Sequence, residues 1–143
     1  MISICIPVLR RYDLLRGLLL SLRDSTAMPD KIAIVNNGKD HKRLLAAVEN
    51  TLDLNRVAFD ILEPVEPMGV AESWNWFIKN IPEERIICND DVVFSRESVE
   101  KIVACPYDLV WTKEAGFSCF LIRDACVQKV GLFDETISPG YGY

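Results

Sequence analysis

The chain has 143 residues, half of them hydrophobic and 26% charged, with a net charge of −5. That length suits one domain with a real core, and the acidic balance argues against a nucleic-acid binder or adsorption to anionic lipid. A single histidine and five cysteines without a CxxC pair leave no His-cluster metal site, no thiolate zinc site and no disulfide framework.

No linker, repeat or low-complexity tract interrupts residues 1–143, so they read as one domain. The N-terminus lacks a basic leader and no apolar run approaches membrane-spanning length, which leads us to expect a soluble, cytoplasmic protein.

Ile2 to Val8 is a β-branched run that predicts a strand. Leu14, Leu15, Leu18, Leu19 and Leu22 then repeat at helical spacing over Tyr12 to Ser25. After Pro29, Lys31 to Val35 predicts a second buried strand ending at Asn36-Asn37-Gly38, and Leu44, Leu45, Val48 and Leu52 mark a second helix. Val57 to Leu62 is a third strand. The loop through Pro64, Pro67 and Gly69 leads into a helix bearing Val70, Trp74, Phe77, Ile78 and Ile81, which Pro82 stops. Arg85 to Cys88 predicts a fourth strand running into Asn89-Asp90-Asp91, with Ser95 as N-cap of a helix using Val99, Ile102 and Val103. Strands at Tyr107 to Trp111 and Phe117 to Ile122 flank Gly116, and Asp124 caps a short helix that Gly131 ends.

Alternating β and α elements with continuous apolar strands predict an α/β fold, a mostly parallel sheet covered by helices on both faces. Ligands of such sheets gather at strand C-termini. Here those tips are Pro7-Val8-Leu9-Arg10-Arg11, Asn36-Asn37-Gly38, the Pro67-Met68-Gly69 loop and Asn89-Asp90-Asp91.

Of two adjacent carboxylates, one can hold a hard cation and the other face a hydroxyl. Magnesium or manganese needs only one or two protein oxygens when phosphate and water fill the other positions. The bland alternative is a solvated turn in which the Asp side chains cap local amides. Arg10 and Arg11 can neutralise a diphosphate or be merely solvated. Asn36-Asn37-Gly38 reads as a turn, but an amide at a strand tip can also meet a nucleobase edge. Asn75, beside the apolar stripe of its helix, either binds neighbouring backbone or faces the ligand edge. Trp111 and Phe117 are read as core, with an aromatic wall for a sugar or base as the alternative. Cys5, Cys88 and Cys119 read as small buried hydrophobes, and His41 as a solvated turn residue.

Taken together, Ser3 to Val8 with Arg11, Ile34 to Gly38, Met68 to Ala71 with Asn75, Asn89-Asp90-Asp91 and Gly131 to Glu135 resemble the family 2 glycosyltransferases and their Rossmann-like GT-A fold. The resemblance implies a metal-assisted, inverting transferase that takes a sugar from a nucleotide diphosphate sugar, UDP-sugar favoured, to a glycan or other acceptor. It implies that Pro7, Val8, Arg10, Arg11, Asn36, Asn37, Gly69, Asn75 and Asn89 bind the donor and that Asp90 approaches ribose or sugar hydroxyls. It also implies that Asp91 holds Mn2+ or Mg2+ in a DxD-like motif. Where the family has a further acidic motif supplying the base, this chain reads Pro139-Gly140-Tyr141-Gly142-Tyr143. The expectation is a C-terminally short domain, either a fragment of a longer transferase or a donor binder without efficient transfer, with Asp134 and Glu135 as weak stand-in bases only. Two other classes compete: a receiver-like phosphoacceptor signalling module and a catalytically silent nucleotide-sugar-binding domain.

Overall fold

A computed structural model describes residues 1–82 and 84–136. Within them the elements run β1 (Ile2–Val8), α1 (Tyr12–Leu22), β2 (Lys31–Asn36), α2 (His41–Val48), β3 (Ala58–Leu62), α3 (Val70–Asn80), β4 (Glu84–Cys88), α4 (Ser98–Ala104), β5 (Leu109–Thr112), β6 (Gly116–Ile122) and α5 (Asp124–Val130). The strands form one sheet in the order β3-β2-β1-β4-β6-β5. β1 to β4 pair in parallel, and β6 alone runs against its neighbours β4 and β5. This is the mostly parallel sheet that the alternating pattern predicts.

The apolar strands are continuous because both faces are covered. On one face Ile4, Ile6, Val8, Ile32, Ile34 and Ile86 pack with Leu15, Leu18, Leu19 and Leu22 of α1, Leu44 of α2, and Val99 and Ile102 of α4. The four α1 leucines are fully buried, each contributing about 2 kcal/mol of transfer free energy. On the other face Cys5, Ala33, Val35, Ile87, Phe120 and Ile122 pack with Phe77 and Ile78 of α3 and Cys126 of α5.

The two-sided arrangement follows from handedness. Right-handed crossovers stepping from β1 to β2 to β3 put α1 and α2 on one face, and the reversal back past β1 to β4 puts α3 on the other. The C-terminal tips of β1 and β4 therefore diverge at the reversal, and a crevice opens between them.

Some local expectations are corrected. α1 stops at Leu22 and α2 at Val48, so Ser25 and Leu52 lie outside helices. Ser95 is not an N-cap: its backbone amide and its hydroxyl both meet the Ser98 hydroxyl, in a turn that delays α4 to Ser98 behind Glu97. Asp124 is the first residue of α5 rather than its cap, because its carboxylate is taken by Arg85 at 2.5 Å. Gly131 ends α5 as predicted, with φ +83°.

Arg85 is 1% exposed at the start of β4. Its guanidinium donates to the Ile78 and Ile81 carbonyls at the end of α3 and pairs with Asp124. A buried cation is tolerated there because a helix C-terminus presents unpaired carbonyls and negative dipole charge. One side chain thereby ties α3, β4 and α5 together. Among the described residues, no helix is long and apolar enough to cross a membrane. Pro139 to Tyr143 lie outside the described residues.

Candidate functional site

Where the tips of β1 and β4 diverge, a cleft of about 560 Å³ opens, lined by Pro7 to Arg11, Asn37, Pro67 to Val70, Ser73 and Asn89 to Asp91. Nine of the predicted site residues thus line one cleft: Pro7, Val8, Arg10, Arg11, Asn37, Gly69, Asn89, Asp90 and Asp91. Leu9, Pro67, Met68, Val70 and Ser73 complete it. Their signal in the sequence was position alone, on the tip after β1 and at the entry to α3.

The acidic tip is positioned by the sheet. β4 pairs antiparallel with β6 up to Cys88 and Cys119, and the Asn89 amide continues the ladder by donating to the Ser118 carbonyl at 2.9 Å. The chain then turns, leaving Asp90 partly buried and Asp91 exposed. Burial and the neighbouring Asp91 charge push the Asp90 carboxyl up to about 6. Arg11 draws it the other way across the crevice. That guanidinium is itself held by Asp13 in a two-pronged pair at 3.0 and 2.8 Å, which lowers Asp13 to about 2. Arg10 is exposed and has no ion pair among the described residues.

The asparagines divide by role. Asn36 is fully buried; it accepts from the Tyr12 hydroxyl at 2.7 Å and donates to Glu63 at 3.1 Å. Glu63 also meets the His41 ring at 2.7 Å, so His41 is paired rather than simply solvated. Asn36 therefore lies behind the cleft. Asn37 lines it, accepting from the Met68 amide at 2.9 Å and donating to Ser73 at 3.3 Å. Gly38 is needed for this packing. A Cβ there would sit 2.1 Å from the Leu9 carbonyl oxygen and 2.6 Å from the Tyr12 hydroxyl.

Asn75 is 1% exposed and resolves in favour of neighbouring backbone. It accepts from the Phe133 amide at 2.9 Å and donates to the Phe133 carbonyl at 2.8 Å and to Glu135 at 2.7 Å. Asp134 is turned back onto Thr136, its carboxylate accepting from that backbone amide and hydroxyl. The structure therefore does not bring Asn75, Asp134 or Glu135 to the cleft wall.

The cysteines are as expected: Cys5, Cys88 and Cys119 are buried; burial holds the Cys5 thiol protonated, and a hydrogen bond with Cys119, with burial second, does the same for Cys88. Trp111 and Phe117 are not core. They are 52% and 45% exposed and stack on one another at 5.5 Å, on the edge strand β5 and the neighbouring end of β6, where the pairing shifts register between Trp111 and Thr112.

No group of three or more His, Cys, Asp or Glu side chains forms a metal cage among the described residues. The donor set here is two adjacent carboxylates whose charge Arg11 only partly offsets. That fits a hard divalent cation which takes most of its ligands from phosphate and water, and it does not fit zinc or a soft metal.

A cleft at the reversal point of a mostly parallel sheet, with arginines on the β1 tip and an acid pair on the β4 tip, defines a doubly wound α/β domain with its candidate site at the strand C-termini. The family model described as Glycosyl transferase family 2 matches residues 3–105, and the chain belongs to that family. Among solved structures, a mannosyltransferase from Pyrobaculum calidifontis in complex with GDP-Man and Mn2+ is similar over 94% of this chain and 48% of its own, at 14% identity and TM-score 0.71. TarS residues 1–349 from S. aureus is similar over 72% of this chain and 31% of its own, at 18% identity and TM-score 0.54. The same TarS segment with UDP-GlcNAc gives 16% identity and TM-score 0.52 over 72% and 30%. These likenesses establish the GT-A fold, and the chain spans about half or less of the structures it matches. No curated protein sequence matches it.

Proposed function

We propose that the chain is the donor-binding domain of a cytoplasmic, metal-assisted, inverting glycosyltransferase that takes a nucleotide diphosphate sugar, with a UDP-sugar favoured. The observation that carries this is the cleft in which the β1 tip and Asn89-Asp90-Asp91 face one another.

In this reading Pro7, Val8 and the backbone up to Arg11 receive the nucleoside, while Arg10 and Arg11 offset diphosphate charge. Gly69 and Val70, in the first turn of α3, add the positive end of a helix dipole to the same wall. Asp91, exposed and unencumbered, would hold Mn2+ or Mg2+. Asp90 would accept from a ribose or sugar hydroxyl. The cation, when bound, supplies electrostatic stabilisation for the negative charge that develops on the departing nucleotide. Complexes of the structural neighbours with GDP-Man and Mn2+ and with UDP-GlcNAc support this choice of ligand class. With Asp90 and Asp91 assigned to the donor, no further carboxylate or histidine lines the cleft among the described residues, so turnover is expected to need another group as base.

Calorimetry with UDP-, GDP- and dTDP-sugars, with and without manganese, tests the proposal. Metal-dependent binding that Asp91→Ala abolishes is expected. No binding by any donor would remove it. Phosphorylation by a small phosphodonor would instead favour the receiver-like alternative, which the family match makes the weaker one.

A further inference from the structure

Trp111 and Phe117 are an expensive feature to leave in water. Their rings stack at 5.5 Å with 24° between planes, each about half exposed. Beneath them lies an aromatic stack that reaches the core. Phe117 meets Phe120 at 5.1 Å, Phe120 meets Trp74 at 5.1 Å and Phe133 at 6.0 Å, and Trp74 meets Phe133 at 4.9 Å. Asn75 fixes the Phe133 backbone from α3. The exposed pair is therefore rigidly backed, and ordering it for a ligand costs little side-chain entropy.

Its position is equally specific. The Asn89 amide donates to the Ser118 carbonyl, so Asp90, one residue after Asn89, and Phe117, one residue before Ser118, flank the same interstrand bond. The aromatic pair therefore lies on the β6 side of β4, away from the β1 tip, with Phe117 at a register position next to the acidic tip. The hairpin turn beside it, Lys113-Glu114-Ala115, carries one charge of each sign. Neither Trp111 nor Phe117 falls within residues 3–105 of the family match.

A flat, rigid aromatic face with a polar, charge-balanced rim suits a ring that is apolar on its faces and hydroxylated around its edge. That describes a pyranose, whose polarised C–H groups meet the negative face of the aromatic quadrupole. A strongly anionic ligand is disfavoured beside Asp90 and Asp91. We propose that Trp111 and Phe117 are the platform on which a neutral saccharide acceptor lays a sugar ring next to the donor cleft. The proposal rests on the donor reading above and names the acceptor class for it.

The test uses the full chain with manganese and UDP. Short neutral oligosaccharides of glucose, mannose and N-acetylglucosamine are titrated by NMR, following the tryptophan indole N–H signals and saturation transfer to the sugar. Nucleotide-sugar affinity is measured separately on the same samples. One oligosaccharide series is expected to bind, and Trp111→Ala and Phe117→Ala are each expected to weaken it about tenfold or more. Trp111→Phe should restore most of the affinity, and nucleotide-sugar affinity should stay at its starting value in all three. The proposal is overturned if no saccharide binds, or if both alanine variants bind as well as the parent. It is also overturned if they lose nucleotide-sugar affinity, which would assign the platform to the donor, or if they abolish a concentration-dependent dimer, which would assign it to a protein interface. Saccharide binding by a parent chain that binds no nucleotide sugar would sink the donor reading instead.

Discussion

Asp90→Asn is expected to make the ligand-free protein more stable at neutral pH while weakening its hold on a nucleotide sugar. The Asp90 carboxyl is pushed from the ordinary 3.8 up to about 6 by burial and by the adjacent Asp91 charge. Folding therefore favours its protonated form. That favourable contribution is complete below the unfolded value, declines as pH rises and is lost above about 6, where the fold must hold a carboxylate it disfavours. At about 1.4 kcal/mol per pH unit the displacement corresponds to about 3 kcal/mol for a group cut off from water. Asp90 is only partly buried, and screening from the open side of the cleft reduces this to about 1 kcal/mol. An asparagine keeps the shape and the acceptor oxygen and removes the charge. Urea unfolding of both proteins at about pH 8 should show the variant more stable by about 1 kcal/mol, with a midpoint on heating higher by roughly 3 °C. At about pH 4.5 the gain should shrink to a fraction of that. A gain that is absent at pH 8, or no smaller at pH 4.5, would refute the assignment of only partly offset charge to this tip.

Gly38→Ala should destabilise the fold by about 2 kcal/mol or more in urea unfolding, because its Cβ would meet the Leu9 carbonyl oxygen at 2.1 Å and neither backbone can yield without moving the β1 tip. Asn75→Leu removes the partner of both the Phe133 amide and carbonyl; a loss of about 2 kcal/mol is expected, with hydrogen exchange accelerated at Phe133 and not in β1. Arg85→Met should cost about 3 kcal/mol in the same unfolding assay, since the Ile78 and Ile81 carbonyls lose their donor. An Arg85→Met, Asp124→Leu double variant should recover part of that loss.

The sheet was readable because β1, β2 and β4 are buried on both faces and so appear as unbroken apolar runs, each closed by a polar tip. The cleft was readable in part: the C-terminal tips of parallel strands share one edge of the sheet, but which tips meet is set by the strand order, which the pattern of apolar runs does not carry. What the sequence hid were choices of partner. Nothing in Arg85 distinguishes a strand-opening surface arginine from a cation buried on the end of α3. Nothing in Ser95 says that Ser98 will satisfy it and delay α4. Trp111 and Phe117 read as core because aromatic residues in strands usually are. They lie where β5 forms the edge of the sheet and the pairing shifts register between Trp111 and Thr112, features that one strand's pattern does not carry.

The asparagines at the β2 tip show how far such hidden partners reach into specificity. A side-chain amide can read a base edge only if a donor hydrogen and an acceptor lone pair remain free in the cleft. Asn36 is sealed from solvent with its oxygen on Tyr12 and its nitrogen on Glu63, so it holds α1 and the β2 tip together and meets no ligand without rearrangement. Asn37 keeps one amide hydrogen and one lone pair after serving Ser73 and Met68, and it lines the cleft. Under the donor reading, discrimination between nucleobases therefore falls to Asn37 and to the main chain of Leu9 and Arg10, and a change at Asn36 would alter stability before selectivity. The β1 extension is held in place by the Asn37 amide, which donates to the Val8 carbonyl at 2.8 Å, and by the close approach of Gly38. Under the donor reading, selectivity for the nucleotide would thus be built on backbone geometry that the second strand imposes on the first.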